Sequence, residues 1–477
     1  MDTKSEKLTF WQKLGYGLGD IFGGGSGTLI SFYYLVFLTD VVRISPGLAG
    51  TVVLISKVYD SVTDPFEGVL SDHTRTRLGR RRPYLLAGIL FIFLSFFAMF
   101  YPVNYESERA RFAFVILTYL FFSTVVSIVM LNYNALQAEL SLDYNERTSL
   151  TTFRIFFSTF SSILCALLPL QIVSLFPDVR TGWIATAAIF GLLFSLPFIA
   201  TVVVTRERPE FQKKPQPFHW KQAFIEPFQV RTFVYVLVMY VTAFTAFDAT
   251  SSIVVYFAKS YLGRAGEVSY VLGGLLISQV IALPFYQWLS KRTSKSRAYI
   301  VGASLFVLVM FFSFLITPTS PPFALYLFAA MVGLGAGGVV VMVYAIFPDI
   351  PDVDELRSGE RREGIYAALT TFARKISSAI AVFAVAQVLE LAGYIPPLEV
   401  AGQLVEQPQN ASFLLALRIV FVLLPVALIS FGIFFAARFP LTVPLYRRLE
   451  KVLAAARSGD AVDENEKQAL SRQLIGS

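Results

Sequence analysis

Twelve stretches of this chain are long and apolar enough to cross a bilayer: near 14–38, 48–70, 84–103, 110–134, 150–176 and 182–204, then near 232–257, 267–289, 298–317, 322–347, 364–392 and 411–437. A spanning helix needs roughly 20 mostly apolar residues to cross about 30 Å of hydrocarbon. The expected fold is therefore an all-α membrane protein with twelve transmembrane helices, split six and six. Composition agrees: of 477 residues, 55% are hydrophobic and 15% charged, with mean hydropathy +0.61, too apolar for a soluble chain of this size.

The stretch TRERPEFQKKPQPFHWKQ (205–222) is basic and broken by prolines, a linker between the halves. The expected organisation is an N-terminal bundle at 1–204, a cytoplasmic linker at 205–231, a C-terminal bundle at 232–437 and a cytoplasmic tail at 438–477. The tail is expected to form amphipathic helices, and no strong residue-level repeat relates the halves. Lysine and arginine set the orientation. They gather after the second span (Arg75, Arg77, Arg80, Arg81, Arg82), the sixth (Arg206, Arg208, Lys213, Lys214), the eighth (Lys291, Arg292, Lys295, Arg297) and the tenth (Arg357, Arg361, Arg362). The opposite connections, such as 316–322 and 393–411, carry few or none. Both termini are then cytoplasmic, in a plasma (inner) membrane. The net charge of +7 faces anionic lipid, and no soluble basic domain exists to bind nucleic acid. The N-terminal sequence lacks the order of a cleavable signal, so the first span is expected to be retained. Cys165 is the single cysteine and forms no internal disulfide.

Within the second span, KVYDSVTDP (57–65) places Asp60 and Asp64 one helical turn apart on one face. An ionisable group at that depth costs roughly 2.5–3.5 kcal/mol on insertion scales unless it meets water or a partner. Two like charges so close hold a shared proton or bind a cation. Thr63 adds an oxygen on nearly the same face, and Pro65 has no N–H to give the Ser61 carbonyl. These oxygens suit Na⁺ or a shuttled proton. The bland alternative is that Lys57 neutralises Asp60 in a structural bundle, although one lysine cannot neutralise two acids. In the eleventh span Lys375 lies near mid-membrane, with Arg374 beside it; the alternative for both is snorkelling to an interface. Asp20, in the glycine-rich GYGLGDIFGGGSG, is expected to line a cavity or bind a gate, against simple close packing. Asp248 reads as a lone acid near mid-span in the second half, and Arg154 as a partner for cytoplasmic-side acids.

Three strings, KVYDSVTDPFEGVLSDHTRTRLGRRRPY, NYNALQAELSLDYNERTSLTTFR and PDIPDVDELRSGERREGIYAALTTFARK, together resemble the glycoside–pentoside–hexuronide:cation symporters, the melibiose-permease branch of the major facilitator superfamily. That branch also takes in sodium-dependent lysolipid transporters. The resemblance runs from GYGLGD to the twelfth span. It implies two six-helix bundles rocking about a central site. It also implies a cation site at Asp60, Asp64, Thr63 and Ser127, and a coupling lysine at Lys375 that senses whether the acids are occupied. A cytoplasmic gate is implied at Asp72, Arg75, Arg77, Arg80–Arg82, Asp349, Asp352, Asp354, Arg361 and Arg362, joined by Arg154; solvated loop charge is the alternative. Two acids that hold the sugar in melibiose permease are replaced here by Gly24 and Met130, and the fourth span carries Asn132, Tyr133 and Asn134 instead of the expected proline and carboxylate.

The expected function is a cation-coupled symporter, working as a monomer with Na⁺ or H⁺ and no other cofactor. Its solute is expected to be a sugar, glycoside or hexuronide-like molecule, with tyrosines such as Tyr34 and Tyr133 offering faces to sugar rings. A lysolipid is the alternative solute, and a receptor or scaffold the alternative outside transport. An enzyme is not expected: the only histidines, His73 and His219, lie in loops, and Cys165 has no catalytic partner nearby.

Overall fold

The sequence punctuates its own helices. Thr9 and Gln12 form a reciprocal capping box at the first helix, Pro46 starts another, and Asp178, Ser294 and Asp463 each accept an N–H at the helix start that follows them. The computed structural model describes residues 7–141, 143–207, 225–360, 362–458 and 463–476. In chain order, α1 (Phe10–Leu18) and α2 (Asp20–Leu29) continue through π-helical turns at Ile30–Tyr34 and Phe37–Val42. Next come α3 (Pro46–His73), α4 (Arg82–Met99), α5 (Glu108–Leu140), α6 (Tyr144–Ser174), α7 (Val179–Ser195) and α8 (Pro197–Val204). The second half holds α9 (Arg231–Tyr256) with a π turn at Phe257–Tyr261, α10 (Val268–Arg292), α11 (Lys295–Phe312), α12 (Pro322–Ile346), α13 (Ile350–Ser358), α14 (Glu363–Leu391) and α15 (Ala411–Ala437). Between α14 and α15 an antiparallel hairpin pairs β1 (Leu398–Val400) with β2 (Gln403–Val405). The tail forms α16 (Val443–Ser458) and α17 (Glu464–Leu474).

Ten helices among the described residues have the length and composition of a membrane span. The expected first and second spans are helical as well, and each departs from that standard for a visible reason. The first is interrupted at Gly19 and again by its π turns, while α3 has 28 residues but carries Lys57, Asp60, Asp64 and Glu67 within it. Counting them as spans eleven and twelve is therefore a proposal. His73 closes α3 instead of standing in a loop. Within these helices, hydroxyls of Thr28, Thr51, Thr186, Thr242 and Thr250 donate to the carbonyl four residues back, which satisfies them without a second helix.

Two compact units emerge. The first comprises the described residues up to 207 with Ser251–Gly273 and Val382–Leu417; the second comprises those from 225 to Thr250, Gly274–Ala381 and those from Arg418 onward. This division cuts through α9, α10, α14 and α15, whereas the expected boundaries ran between helices.

In the second unit the tail is docked. Leu449, Val452, Leu453, Leu470 and Leu474 are buried, and the Leu474 and Ile475 carbonyls accept from the Thr232 hydroxyl at 2.6 Å and the Arg231 N–H at 3.1 Å. The unsatisfied carbonyls at the end of α17 thereby meet the unsatisfied donors at the start of α9. In this unit α11 packs backbone to backbone on α12: a Cβ on Gly335 would fall 2.7 Å from the Phe306 nitrogen, and one on Gly302 would fall 2.9 Å from the Gly335 carbonyl. Backbone faces backbone there, so no side chain can yield. Gly335→Ala should cost about 1–3 kcal/mol through overpacking. A thermal unfolding scan of the detergent-solubilised protein should show it, while Gly274→Ala, with nothing within 4 Å of the added carbon, should unfold with the parent.

Candidate functional site: paired carboxylates on α3

In the first unit, α3 and α5 set two ladders side by side. Asp60 and Asp64 are one turn apart on α3; Ser123 and Ser127 are one turn apart on α5. Ser123 donates to Asp60 Oδ1, and Ser127 Oγ donates to Asp64 Oδ1 at 2.7 Å. A second link, between Tyr59 and Thr124 hydroxyls at 3.0 Å, fixes the register of the helices. Asp60 is 2% exposed, whereas Asp64 is only partly covered. Lys57 Nζ lies 3.4 Å from Asp60 Oδ2, as the bland alternative expected. Hydrogen bonds to a charged acceptor are worth about 1.5–3 kcal/mol, enough to hold a carboxylate in a low-dielectric bundle.

The donor set suits a hard cation. Carboxylates and hydroxyls are oxygen ligands, and a serine that donates to a carboxylate turns a lone pair outward when it rotates. Ser56, one turn before Asp60, is fully buried with no hydrogen-bond partner for its hydroxyl among the described residues. Buried hydroxyls are seldom left so, and this one shares the acid face. The Thr63 hydroxyl donates back to the Tyr59 carbonyl at 3.2 Å and keeps its lone pairs. The family resemblance implied Ser127 as a ligand but not Ser123 or Ser56. The signal was present: serines four residues before Ser127 and before Asp60 repeat the spacing of the acids.

Asp20 is buried and paired with Arg154, Nε to Oδ2 at 3.1 Å. Arg154 also donates to Gln137 Oε1 at 3.0 Å and lies over the Tyr133 ring at 5.2 Å. Tyr133 is fully buried and exchanges hydroxyl-to-carbonyl bonds with Tyr16, at 2.6 and 3.0 Å, on stacked rings. Tyr34 is closed in among Phe37, Phe100 and Tyr119, while Asn134 is exposed on α5. Asn132 is buried and accepts from Ser71. Tyr34 and Tyr133 are both buried against other rings, and Arg154 joins Asp20, Gln137 and Tyr133.

In the second unit Asp248 is not a lone acid. Arg374 grips it with two guanidinium nitrogens, Nη2 lying 2.9 Å from Oδ1, and rests over the Phe244 ring at 4.8 Å. Opposite charges on α9 and α14 carried that signal; the expectation read each by itself. Lys375, the next residue, is half-buried on α14. Asp354, wholly buried, takes Arg362 through two bonds of 2.8 Å, and Arg362 reaches Glu226 at 2.5 Å. Asp352 receives Arg457 of the tail at 3.4 Å, and Lys295 holds Asp349 at 2.6 Å. In the first unit Arg80 and Arg81 both reach Glu139, at 2.6 and 3.4 Å, and Glu207 accepts the backbone N–H of Arg80, Arg81 and Arg82. Arg75 is exposed and donates to the Thr74 carbonyl. The Asp72 side chain and Arg361 lie outside the described residues.

Comparison with known proteins follows this geometry. The profile of the MFS/sugar transport protein family matches residues 15–443. Among curated relatives, the chain is similar to the isoprimeverose transporter of Lactiplantibacillus pentosus, 26% identical over 88% of this chain and 86% of that one. It is similar also to sodium-dependent lysophosphatidylcholine symporter 1 of Gallus gallus, 23% identical over 95% and 90%. Among solved structures, the nucleoside transporter NupG has the same fold, with TM-score 0.59 and 12% identity over 91% of this chain and 99% of that one. With this family match over residues 15–443 the protein is a transporter and not an enzyme: the chain belongs to the MFS/sugar transport proteins, the cation-symporter family of glycosides, pentosides and hexuronides.

Proposed function

We propose that this symporter moves a neutral sugar or glycoside together with Na⁺ or H⁺, the ion being seated at Asp60 and Asp64. The observation that carries the reading is the double ladder of Asp60–Ser123 and Asp64–Ser127. Symport requires a seat whose charge differs with and without the ion, so that the two states favour different conformations of the protein. Two carboxylates flanked by rotatable hydroxyls meet that requirement. Lys375 is proposed as the residue that balances their charge in the coupling step. Both termini are proposed to face the cytoplasm, with the protein acting as a monomer in the plasma membrane.

The neutral solute rests on the Asp248–Arg374 pair. A hexuronide or sulfonated sugar would want a spare guanidinium, and this one is held bidentately by a carboxylate. The name of the Lactiplantibacillus relative supports a sugar-like solute; that of the Gallus relative favours a lysolipid as the second reading.

Three outcomes are expected in proteoliposomes. Asp60→Asn and Asp64→Asn should lose uphill accumulation while retaining solute exchange without a gradient; normal accumulation by both would remove the ion seat. Ser123→Ala should raise the ion concentration for half-maximal uptake by about tenfold, because the oxygen offered to the bound cation is lost. Competition should come from neutral glycosides and not from uronides; inhibition by lysolipids alone would replace the sugar reading with the second one.

A further inference from the structure

Three charged side chains outside the ion seat meet in the first unit. Lys259, in the π turn that ends the seventh span, is 8% exposed and donates to Asp40, in the π turn that ends the first span and 2% exposed. Glu406, just past β2, lies 3.0 Å from the same amine. Asp40 also accepts from the Tyr394 and Thr39 hydroxyls, each at 2.7 Å, and Thr39 lies 2.8 Å from the Tyr256 hydroxyl. The Lys259 amine sits 6.0 Å and 5.9 Å from the Tyr256 and Tyr394 ring centres. The cluster therefore satisfies a charge that has almost no access to water.

A strap of independent contacts runs beside it. The N–H of Gly47, at the start of α3, donates to Glu390 Oε2 at 2.5 Å. The hairpin is tied to α7: Arg180 Nε lies 3.1 Å from Glu399 Oε2, and the Val179 N–H donates to the Gly402 carbonyl at 2.9 Å. The same Arg180 donates to the carbonyls of Val41, Pro102 and Val103. Each of these groups lies at the end of its helix away from the arginine-rich connections after α3 and α10, which puts the whole set on the outer side of the membrane by the charge rule.

We propose that this network is the transporter's outer gate: Asp40–Lys259–Glu406 is its lock and the β1–β2 hairpin its strap. The parts come from distant places in the chain, with Asp40 and Lys259 separated by 219 residues, so the lock joins helices and not turns of one helix. A buried ion pair has no favourable half-open form, since separation leaves each charge without a partner until water reaches it. Such a pair is two-state, closed and dry or open and hydrated, and that is what an alternating-access gate needs. The hairpin brings acids, Glu399 and Glu406, from a loop poor in lysine and arginine to basic residues on other elements, so the strap and the lock open together.

The test uses the full chain in intact cells, with Cys165→Ser removing the native cysteine and Ala386→Cys as the only thiol. Ala386 is fully buried where α14 meets α3: a Cβ added to Gly50 would fall 2.5 Å from the Ala386 Cβ. A membrane-impermeant maleimide applied outside, with no solute, reports the open state. Lys259→Ala should raise the labelling rate by about tenfold or more, and Glu406→Gln, at the rim, by a smaller factor of about three. Lys259→Arg should stay near the parent. Labelling at the parent rate in Lys259→Ala, or in Glu406→Gln where the former does not reach the membrane, overturns the gate. This readout needs neither ion nor solute, so it stands apart from the proposed cargo.

Discussion

A carboxylate inside a bilayer has to be compensated, and the rest of this structure is arranged around that demand. Asp60 and Asp64 meet it with hydroxyls presented in register by α5. The register itself is fixed by the Tyr59–Thr124 bond and by helix periodicity, which repeats any two residues four apart on a common face. A hydroxyl is a partner that does not commit. It donates to a carboxylate and keeps lone pairs for a further partner.

Elsewhere the same demand is met by fixed opposite charges. Asp20 takes Arg154, Asp248 takes Arg374 and Asp354 takes Arg362. Guanidinium and carboxylate held bidentately define geometry more tightly than a rotating hydroxyl does. Paired arginines thereby brace helices against one another within each unit. The docked tail extends the bracing to the loops, with Arg457 on Glu355 and Asp352.

Much of this was legible in the sequence, for reasons of scale. Apolar runs of about 20 residues announce helices one at a time, and the acids of α3 stand out because the surrounding residues are apolar. The i, i+4 rule then gives a shared face without any tertiary information. Pairings between helices were not legible in the same way. Nothing local says that Asp248 meets Arg374, 126 residues away, or that Asp40 meets Lys259. Tyr34 and Tyr133 are read as solute contacts because tyrosine suits sugar rings, and the sequence does not show that Tyr34 meets Phe100 edge-on or that Tyr133 stacks on Tyr16. The units, too, follow contacts made late in the chain by residues 382–417, which no helix count reveals. Ser123 and Ser56 lay within reach, since their spacing alone marks them.

The central claim is that the ion travelling with the solute sits on the α3 acids. The most direct measurement is ion influx triggered by solute, followed with radioactive sodium and with an internal pH dye in proteoliposomes that start with no ion gradient. In the parent protein, adding solute outside should carry one of these ions inward in fixed proportion to solute. In Asp64→Asn, solute should still enter down its gradient with that ion flux gone. An unchanged ratio of ion to solute in Asp64→Asn and Asp60→Asn would contradict the account and place the coupling ion elsewhere.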